Sequence, residues 1–283
     1  MAFEITRYSG ERASHGIQSW RQRDSSRSNR TLHAYRSWDT LLAARRRGEQ
    51  SVAMTDVPLP LDRGLFGRLR RDAGSAWEDY VAHDFVQALG RGTLPEPAFR
   101  HFLVQDYLFL IHFARAHALA GFKATRLADI RAAAAAVTAI VDVEMPLHVS
   151  YCAGWGLTET EMAAAPEAME TMAYTRFVLE RGLAGDLLDL QVALAPCLVG
   201  YGESGERLLA DPATRLDGNP YAEWIGAYTS EAYRRAVRDA IAMLDRLGGE
   251  HGAEARYPNL LATFIAATRL ETAFWDMGWR AGA

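Results

Sequence analysis

The stretch FRHFLVQDYLFLIHFARAHALAGFKA, residues 99–124, gives the clearest indication of the fold of this chain. Its apolar residues recur at helical spacing and cover most faces of the predicted helix, which is typical of a helix enclosed by others. Asp106 and Tyr107 interrupt the apolar run. Because burying an isolated carboxylate is costly, we expect Asp106 to be paired or hydrogen-bonded, either as a structural contact or as part of a site.

Helical periodicity continues on both sides of this stretch. From residue 62 onward, apolar segments at helical spacing are separated by turns rich in Gly, Pro or Asn, and strand patterns are nearly absent. The sequence therefore predicts an all-α fold of about seven or eight helices with short connections. We expect a single helical-bundle domain over residues 62–281.

Composition narrows the class of protein. The chain has 283 residues, 49% of them hydrophobic, which is enough for a substantial core. Its net charge of −4 offers no basic field for nucleic acid or acidic membranes. Two cysteines, Cys152 and Cys197, are too few for a disulfide scaffold and suit the reducing cytoplasm. The longest apolar run, residues 132–141, is too short to span a membrane. We expect a cytoplasmic protein with neither nucleic acid nor a membrane as partner.

The first 53 residues differ from the rest of the chain. They hold ten arginines and five acidic residues and show little hydrophobic periodicity. They lack the apolar core of a secretory signal, and their acidic residues are unusual for an organellar transit peptide. We expect residues 1–53 to be a disordered Arg/Ser-rich tail, or the start codon to lie too far upstream, with Met54 as the natural start.

A second stretch, LAPCLVGYGESGERL at residues 194–208, contains a cysteine close to residues that are unusual inside a helix. Cys197 and Tyr201 lie one helical turn apart, so the thiol and the phenol share a face. A free cysteine in an apolar helix is usually a small buried hydrophobe. Pro196, Gly200 and Gly202 are disfavoured inside helices, however, and we expect them to open a slot for a flat ligand beside the sulfur.

Other polar residues lie in similarly apolar segments. Glu144 and His148, four residues apart, could form one arm of a carboxylate-bridged di-iron site or a core ion pair. Glu271, Tyr174 and Tyr228 are each as compatible with the core as with a site. Phosphate-binding loops, dinucleotide-binding glycine motifs and serine nucleophile elbows are absent from the sequence.

Four segments share features in order and spacing: FVQALGRGTLPEPAFRHFLVQDYLFLIHFARAHALA (85–120), LAPCLVGYGESGERLL (194–209), NPYAEWIGAYTSEAY (219–233) and TRLETAFWDMGW (268–279). Together they resemble the TenA/thiaminase II family. The resemblance implies a heme-oxygenase-like all-α fold, a homotetramer, and no metal or cofactor. It also implies hydrolysis of 4-amino-5-aminomethyl-2-methylpyrimidine to the hydroxymethylpyrimidine, with thiamin as a second substrate in many members, for the salvage of degraded thiamin.

The resemblance also assigns roles to residues. It makes Cys197 the catalytic nucleophile and places this chain in the cysteine-bearing branch of the family. Glu271 becomes its carboxylate partner, which shuttles protons while the sulfur adds to the pyrimidine ring. Asp106 holds the aminopyrimidine edge. The remaining substrate-binding positions implied by the resemblance are Phe109, Tyr174, Tyr201, Tyr228 and Phe274.

Two alternatives remain open at the level of sequence. The first is a di-iron oxygenase on the same fold, for which Glu144 and His148 supply one arm and no matching second arm is found. The second is a non-catalytic pyrimidine-binding regulator that kept the fold. Metal content and an activity assay distinguish these alternatives from the hydrolase.

Overall fold

The computed structural model describes residues 58–282, and the predicted tail at residues 1–53 lies outside them. Within the described part the regular structure is entirely helical, with twelve α-helices and one π-helical segment. The α-helices are α1 Gly64–Ala73, α2 Ser75–Val81, α3 Asp84–Arg91, α4 Glu96–Lys123, α5 Leu127–Ala139, α6 Met145–Ala153, α7 Glu159–Ala164, α8 Met169–Ala184, α9 Leu187–Ala210, α10 Ala222–Tyr228, α11 Glu231–Glu250 and α12 Ala253–Arg280.

Four helices, α4, α8, α9 and α12, form the centre of the fold, and each packs against the other three. Helix α4 begins just after Pro95 and has Pro97 in its first turn, where a missing backbone N–H costs nothing. Its buried residues include Phe99 and Leu108, which are nine residues apart and therefore lie on opposite faces of the helix. As residues 99–124 predicted, α4 is enclosed by other helices.

The described helices outnumber the prediction, in part because the short helices α3 and α7 were not predicted and in part because two predicted helices are each divided in two. The segment at residues 65–83 breaks at Gly74, whose φ of 56° lies in the left-handed region that favours glycine. The segment at residues 219–249 breaks at Thr229, and the Ser230 side chain accepts a hydrogen bond from the Tyr233 N–H to start α11. Both breaks turn a long amphipathic segment around the core.

Helices α5 and α6 run on through the π-helical segment Ile140–Glu144. Pro146 accounts for the widened turn, because it cannot donate to the carbonyl of Asp142 and its ring crowds that position. The N–H of Met145 bonds instead to the carbonyl of Ile140, five residues back. The π segment ends at Glu144, so the widened turn immediately precedes a candidate site residue.

This continuity corrects one sequence prediction. Residues Leu127–Ala153 form one 27-residue helical span with a mean hydropathy of 1.4 in its most apolar window, so length and composition alone would allow it to cross a membrane. The prediction that no apolar run is long enough was therefore wrong, because it counted only residues 132–141. A single such helix is weak evidence for a membrane protein.

Candidate functional site

Cys197 and Glu271 meet where α9 packs against α12. The Cys197 side chain is partly exposed, whereas Glu271 is only 2% exposed. The thiol faces the Glu271 carboxyl group, and each of the two groups shifts the pKa of the other. Burial, together with the nearby charges of Glu271, Glu144 and Asp106, raises the pKa of Cys197 well above its ordinary value. The resting thiol is therefore protonated, and a nucleophilic role requires a base beside it.

Glu271 has the properties of that base. Its Oε1 accepts a hydrogen bond of 2.7 Å from the Tyr174 hydroxyl. Burial and the negative charge of Asp106 raise its pKa to about 8, although hydrogen bonds from Tyr174 and Cys197 oppose the shift. A carboxyl group with this pKa exchanges its proton near neutral pH, as a general acid–base requires.

Asp106 is ion-paired inside the site, as the apolar setting of α4 predicted. Its Oδ2 lies 2.6 Å from Nε2 of His148, whose Nδ1 lies 2.9 Å from the backbone carbonyl of Glu144. Burial lowers the pKa of His148, but the hydrogen bond and charge of Asp106 outweigh it and raise that pKa above the ordinary value. Since both ring nitrogens face acceptors, His148 is an imidazolium that neutralises the Asp106 carboxylate.

Glu144 adds a third carboxylate to the site. Its Oε1 accepts a hydrogen bond of 2.9 Å from the Tyr228 hydroxyl. Burial raises its pKa and Asp106 adds to the shift, whereas His148 and the Tyr228 hydrogen bond lower it. The predicted pairing of Glu144 with His148 is thus only partly right: the imidazole binds the Glu144 backbone, and its carboxylate partner is Asp106.

Aromatic side chains enclose these groups on two sides. On one side, Phe109 lies 5.0 Å from Tyr174 and 5.7 Å from Phe274, measured between ring centroids. On the other side, Tyr201 lies 5.0 Å from Tyr228. The structure therefore gathers all eight sequence-predicted site residues around one position, between carboxylates and flat rings that suit a planar polar ligand.

Two tyrosines that the sequence did not single out also border the site. Tyr80 donates to the carbonyl of Pro196 over 3.2 Å, and Tyr233 donates to the carbonyl of Leu198 over 3.0 Å. The two hydroxyls thus brace the backbone on both sides of Cys197. Burial raises the pKa of both phenols well above the ordinary value, and Cys197 contributes to both shifts. Neither tyrosine lies at a spacing that links it to Cys197 in the sequence.

The glycines after Cys197 have a different role from the predicted one. Helix α9 is continuous through Pro196, and a Cβ at Gly200 would lie 2.1 Å from Cε1 of Tyr80. A Cβ at Gly202 would lie 2.9 Å from Cγ2 of Val237. The prediction that these residues open a slot for a ligand was wrong. They admit neighbouring side chains that pack against α9 and hold Cys197 in place.

The di-iron alternative requires several converging ligands, and residues 58–282 contain no group of three or more His, Cys, Asp or Glu side chains placed to hold a metal ion. His148 is instead engaged with Asp106. Among the described residues, the arrangement therefore favours proton-transfer chemistry with a thiol over a carboxylate-bridged metal pair.

Comparison with known families identifies the chain. The profile of the TENA/THI-4/PQQC family matches residues 70–281. The chain belongs to this family. A protein from Silicibacter sp. TM1040, described as a TenA family transcription regulator, has a crystal structure that is 45% identical to this chain and aligns with a TM-score of 0.71, covering 76% of this chain and 96% of the other.

Other similar proteins are consistent with this family and fold. An uncharacterised protein from Haemophilus influenzae is 38% identical over 76% of this chain and 98% of its own length. The aminopyrimidine aminohydrolase of Halalkalibacterium halodurans is 36% identical over 75% of this chain and 93% of its own length. A Shewanella denitrificans domain with a heme oxygenase-like fold aligns with a TM-score of 0.58 at 14% identity, over 75% of this chain and 91% of that domain, a likeness of fold alone. The predicted family and the all-α, heme-oxygenase-like fold are confirmed.

Proposed function

We propose that this protein is an aminopyrimidine aminohydrolase of the thiaminase II type. It hydrolyses 4-amino-5-aminomethyl-2-methylpyrimidine, and thiamin as a second substrate, to the hydroxymethylpyrimidine for thiamin salvage. The observation that carries the proposal is the pairing of the Cys197 thiol with the buried Glu271 carboxyl group, set between aromatic rings and beside the ion-paired Asp106. Relatives named aminopyrimidine aminohydrolase, from Halalkalibacterium halodurans and Bacillus subtilis, support it.

The reaction uses a Cys197–Glu271 pair that holds one proton between the two groups. The sulfur adds to a ring carbon of the pyrimidine while that proton passes through Glu271 to a ring nitrogen. The dearomatised ring then expels the leaving group from its methylene carbon. Water adds to this carbon as Glu271 accepts the proton released, and loss of the sulfur restores the aromatic ring and the thiol. Asp106 holds the aminopyrimidine edge by a charge-assisted hydrogen bond.

The experiment is hydrolysis of the aminomethylpyrimidine and of thiamin by the purified protein, followed by product chromatography. We expect turnover by the wild type and near-complete loss of kcat in Cys197→Ser with the melting temperature unchanged. Cys152→Ser is the control, because Cys152 is fully buried in α6 and has an ordinary packing role. A Cys197→Ser variant that keeps a tenth of wild-type kcat would refute the nucleophile, and an inactive wild type would refute the function.

A pyrimidine-binding regulator is the second candidate, because the similar Silicibacter protein is described as a transcription regulator. A regulator needs a binding pocket but no proton-exchanging carboxyl beside a thiol. Binding of the aminomethylpyrimidine without turnover by the wild type would favour the regulator over the hydrolase.

The assembly we propose is a cytoplasmic homotetramer. The α5–α6 span exposes apolar side chains, among them Leu127 at 59% and Val143 at 49%, which a second copy of the chain would cover. Light scattering coupled to size exclusion tests this assembly. We expect the mass of four chains of 31.4 kDa, and a monomer would refute it.

A further inference from the structure

The charges around Cys197 do not balance. Three carboxylates, those of Glu271, Glu144 and Asp106, act on the thiol. Asp106 is neutralised by His148 over 2.6 Å. Glu271 keeps its proton below a pH of about 8 and is therefore uncharged at neutral pH. The carboxylate left without a cation of its own is Glu144.

Glu144 is also the carboxylate with a free acceptor. Its Oε1 accepts from Tyr228, and among residues 58–282 no donor binds Oε2 and no salt bridge forms. Burial in this setting disfavours a lone negative charge, as the raised pKa of Glu144 reflects. A bound ligand that brings a positive charge would satisfy the free oxygen and compensate the carboxylate.

The backbone and the side chain of Glu144 are both fixed. The residue ends the π segment, its carbonyl lies 2.9 Å from Nδ1 of His148, and its side chain is held by Tyr228. His148 therefore links the Asp106 carboxylate to the Glu144 backbone. This rigidity fits a recognition group, because little ordering remains to be done when the ligand binds.

We propose that Glu144 binds the positively charged nitrogen of the leaving group, an alkylammonium or a thiazolium, so that the site selects cationic over neutral 5-substituted pyrimidines. This inference rests on the proposed function and deepens it. An amine leaves the methylene carbon as ammonia only if it is protonated first, so a carboxylate that favours the ammonium form assists expulsion as well as binding.

The test separates binding from turnover. In a Cys197→Ser background, calorimetry at pH 7 compares the aminomethylpyrimidine, which is cationic, with the hydroxymethylpyrimidine, which is neutral and of similar shape. We expect the cation to bind more tightly, and Glu144→Gln to weaken it on the order of 10- to 100-fold while the neutral ligand changes less than about threefold. Unchanged binding of the neutral ligand also reports that the variant is folded.

Thiamin is the second ligand measured in this binding experiment, because its thiazolium carries a positive charge but has no N–H to donate. Weaker binding of both cations to Glu144→Gln supports charge recognition, and weaker binding of the aminomethylpyrimidine alone supports an ammonium hydrogen bond. Glu159→Gln is the matched control: Glu159 also accepts from a tyrosine, Tyr107 over 3.1 Å, but is exposed outside the site. We expect it to behave as the parent.

Two results would overturn the inference. Glu144→Gln could leave the binding of both cations unchanged, or it could weaken the neutral pyrimidine as much as the cationic one. In either case an active wild type would leave the hydrolase function standing. A wild-type protein that neither binds nor hydrolyses the aminomethylpyrimidine would instead remove the proposed function, and this inference with it.

Discussion

Two glutamates on neighbouring helices are equally buried and have opposite surroundings. Glu203 in α9 and Glu271 in α12 are each 2% exposed. Glu203 accepts two hydrogen bonds from Arg70, at 2.8 and 2.6 Å, and further bonds from Arg207 and Trp77. In the part of the chain that the structure describes, Glu271 forms no ion pair, and its partners are the neutral Tyr174 hydroxyl and the thiol of Cys197.

The two environments move the pKa in opposite directions. Burial by itself would raise the pKa of Glu203, but the hydrogen bonds and charge of Arg70, with Trp77 and Arg207, hold it below its ordinary value. Burial raises the pKa of Glu271 to about 8 because nothing cationic opposes it. Burial is the same in both cases, so the partners decide whether a carboxyl group is a fixed charge that stabilises the fold or a proton carrier.

Replacing Glu271 should reduce catalysis more than any other change considered for these two glutamates. Glu271→Gln keeps the shape and the hydrogen bond from Tyr174 but cannot exchange a proton. We expect kcat for the aminomethylpyrimidine to fall on the order of 10²- to 10⁴-fold with the Michaelis constant nearly unchanged, since Asp106 and the aromatic rings still hold the ring. Steady-state kinetics measures both constants. An increase in the Michaelis constant alone would make Glu271 a binding group.

The counterpart at Glu203 is expected to affect stability and not chemistry. Glu203→Gln leaves Arg70 and Arg207 without their buried counter-charge, and we expect a loss of about 2–4 kcal/mol in the free energy of unfolding. Denaturant titration measures this loss, and kcat per folded molecule should stay at the wild-type value. If activity fell while stability held, the division of roles between the two glutamates would be wrong.

The sequence predicted one of these glutamates and not the other, for a physical reason. Helical periodicity was sufficient to predict the all-α fold, and the segment around Glu271 supported its role through family resemblance. Glu203 lies within the same apolar stretch as Cys197, yet its partner Arg70 is 133 residues away. Nothing local in the sequence distinguishes a carboxyl group that will meet an arginine from one that will meet a thiol.

The dependence on distant partners also explains why other predictions around the site were incomplete or wrong. Asp106 was predicted to need a partner, but His148 lies 42 residues away and was assigned to a metal ligand set or a core pair. Gly200 was interpreted as making room for a ligand, whereas it makes room for Tyr80 from a distant helix. Residue types could be predicted from local pattern, and their partners depend on helix packing that the pattern does not specify.

A smaller effect concerns stability as a function of pH. The folded pKa of Glu271 lies above the unfolded value of about 4.5. The contribution of this carboxyl group to the free energy of unfolding is therefore complete below pH 4.5 and is lost as pH rises towards 8. Glu271→Gln should therefore gain stability relative to the wild type between pH 5 and 8, by about 1–3 kcal/mol. Glu203, with its lowered pKa, contributes above pH 4.5 and loses its contribution as pH falls. Denaturant titrations across this range measure how the free energy of unfolding changes with pH. A Glu271→Gln variant that loses stability relative to the wild type towards pH 8 would contradict the raised pKa of Glu271.

The smallest effect is a shift in the pH–rate profile. Catalysis needs the Cys197–Glu271 pair with one proton, whereas below a pH of about 8 the free pair carries two, so kcat/KM should rise with pH towards that value.

The Tyr174 hydroxyl lowers the pKa of Glu271. Tyr174→Phe should therefore move the rising limb upward by roughly half to one pH unit, since a hydrogen bond contributes about 1 kcal/mol. Trp77→Phe, which removes a donor from Glu203, is the matched control and should leave the limb in place. A limb that moves downward in Tyr174→Phe, or moves equally in both variants, would show that the proton measured does not belong to Glu271.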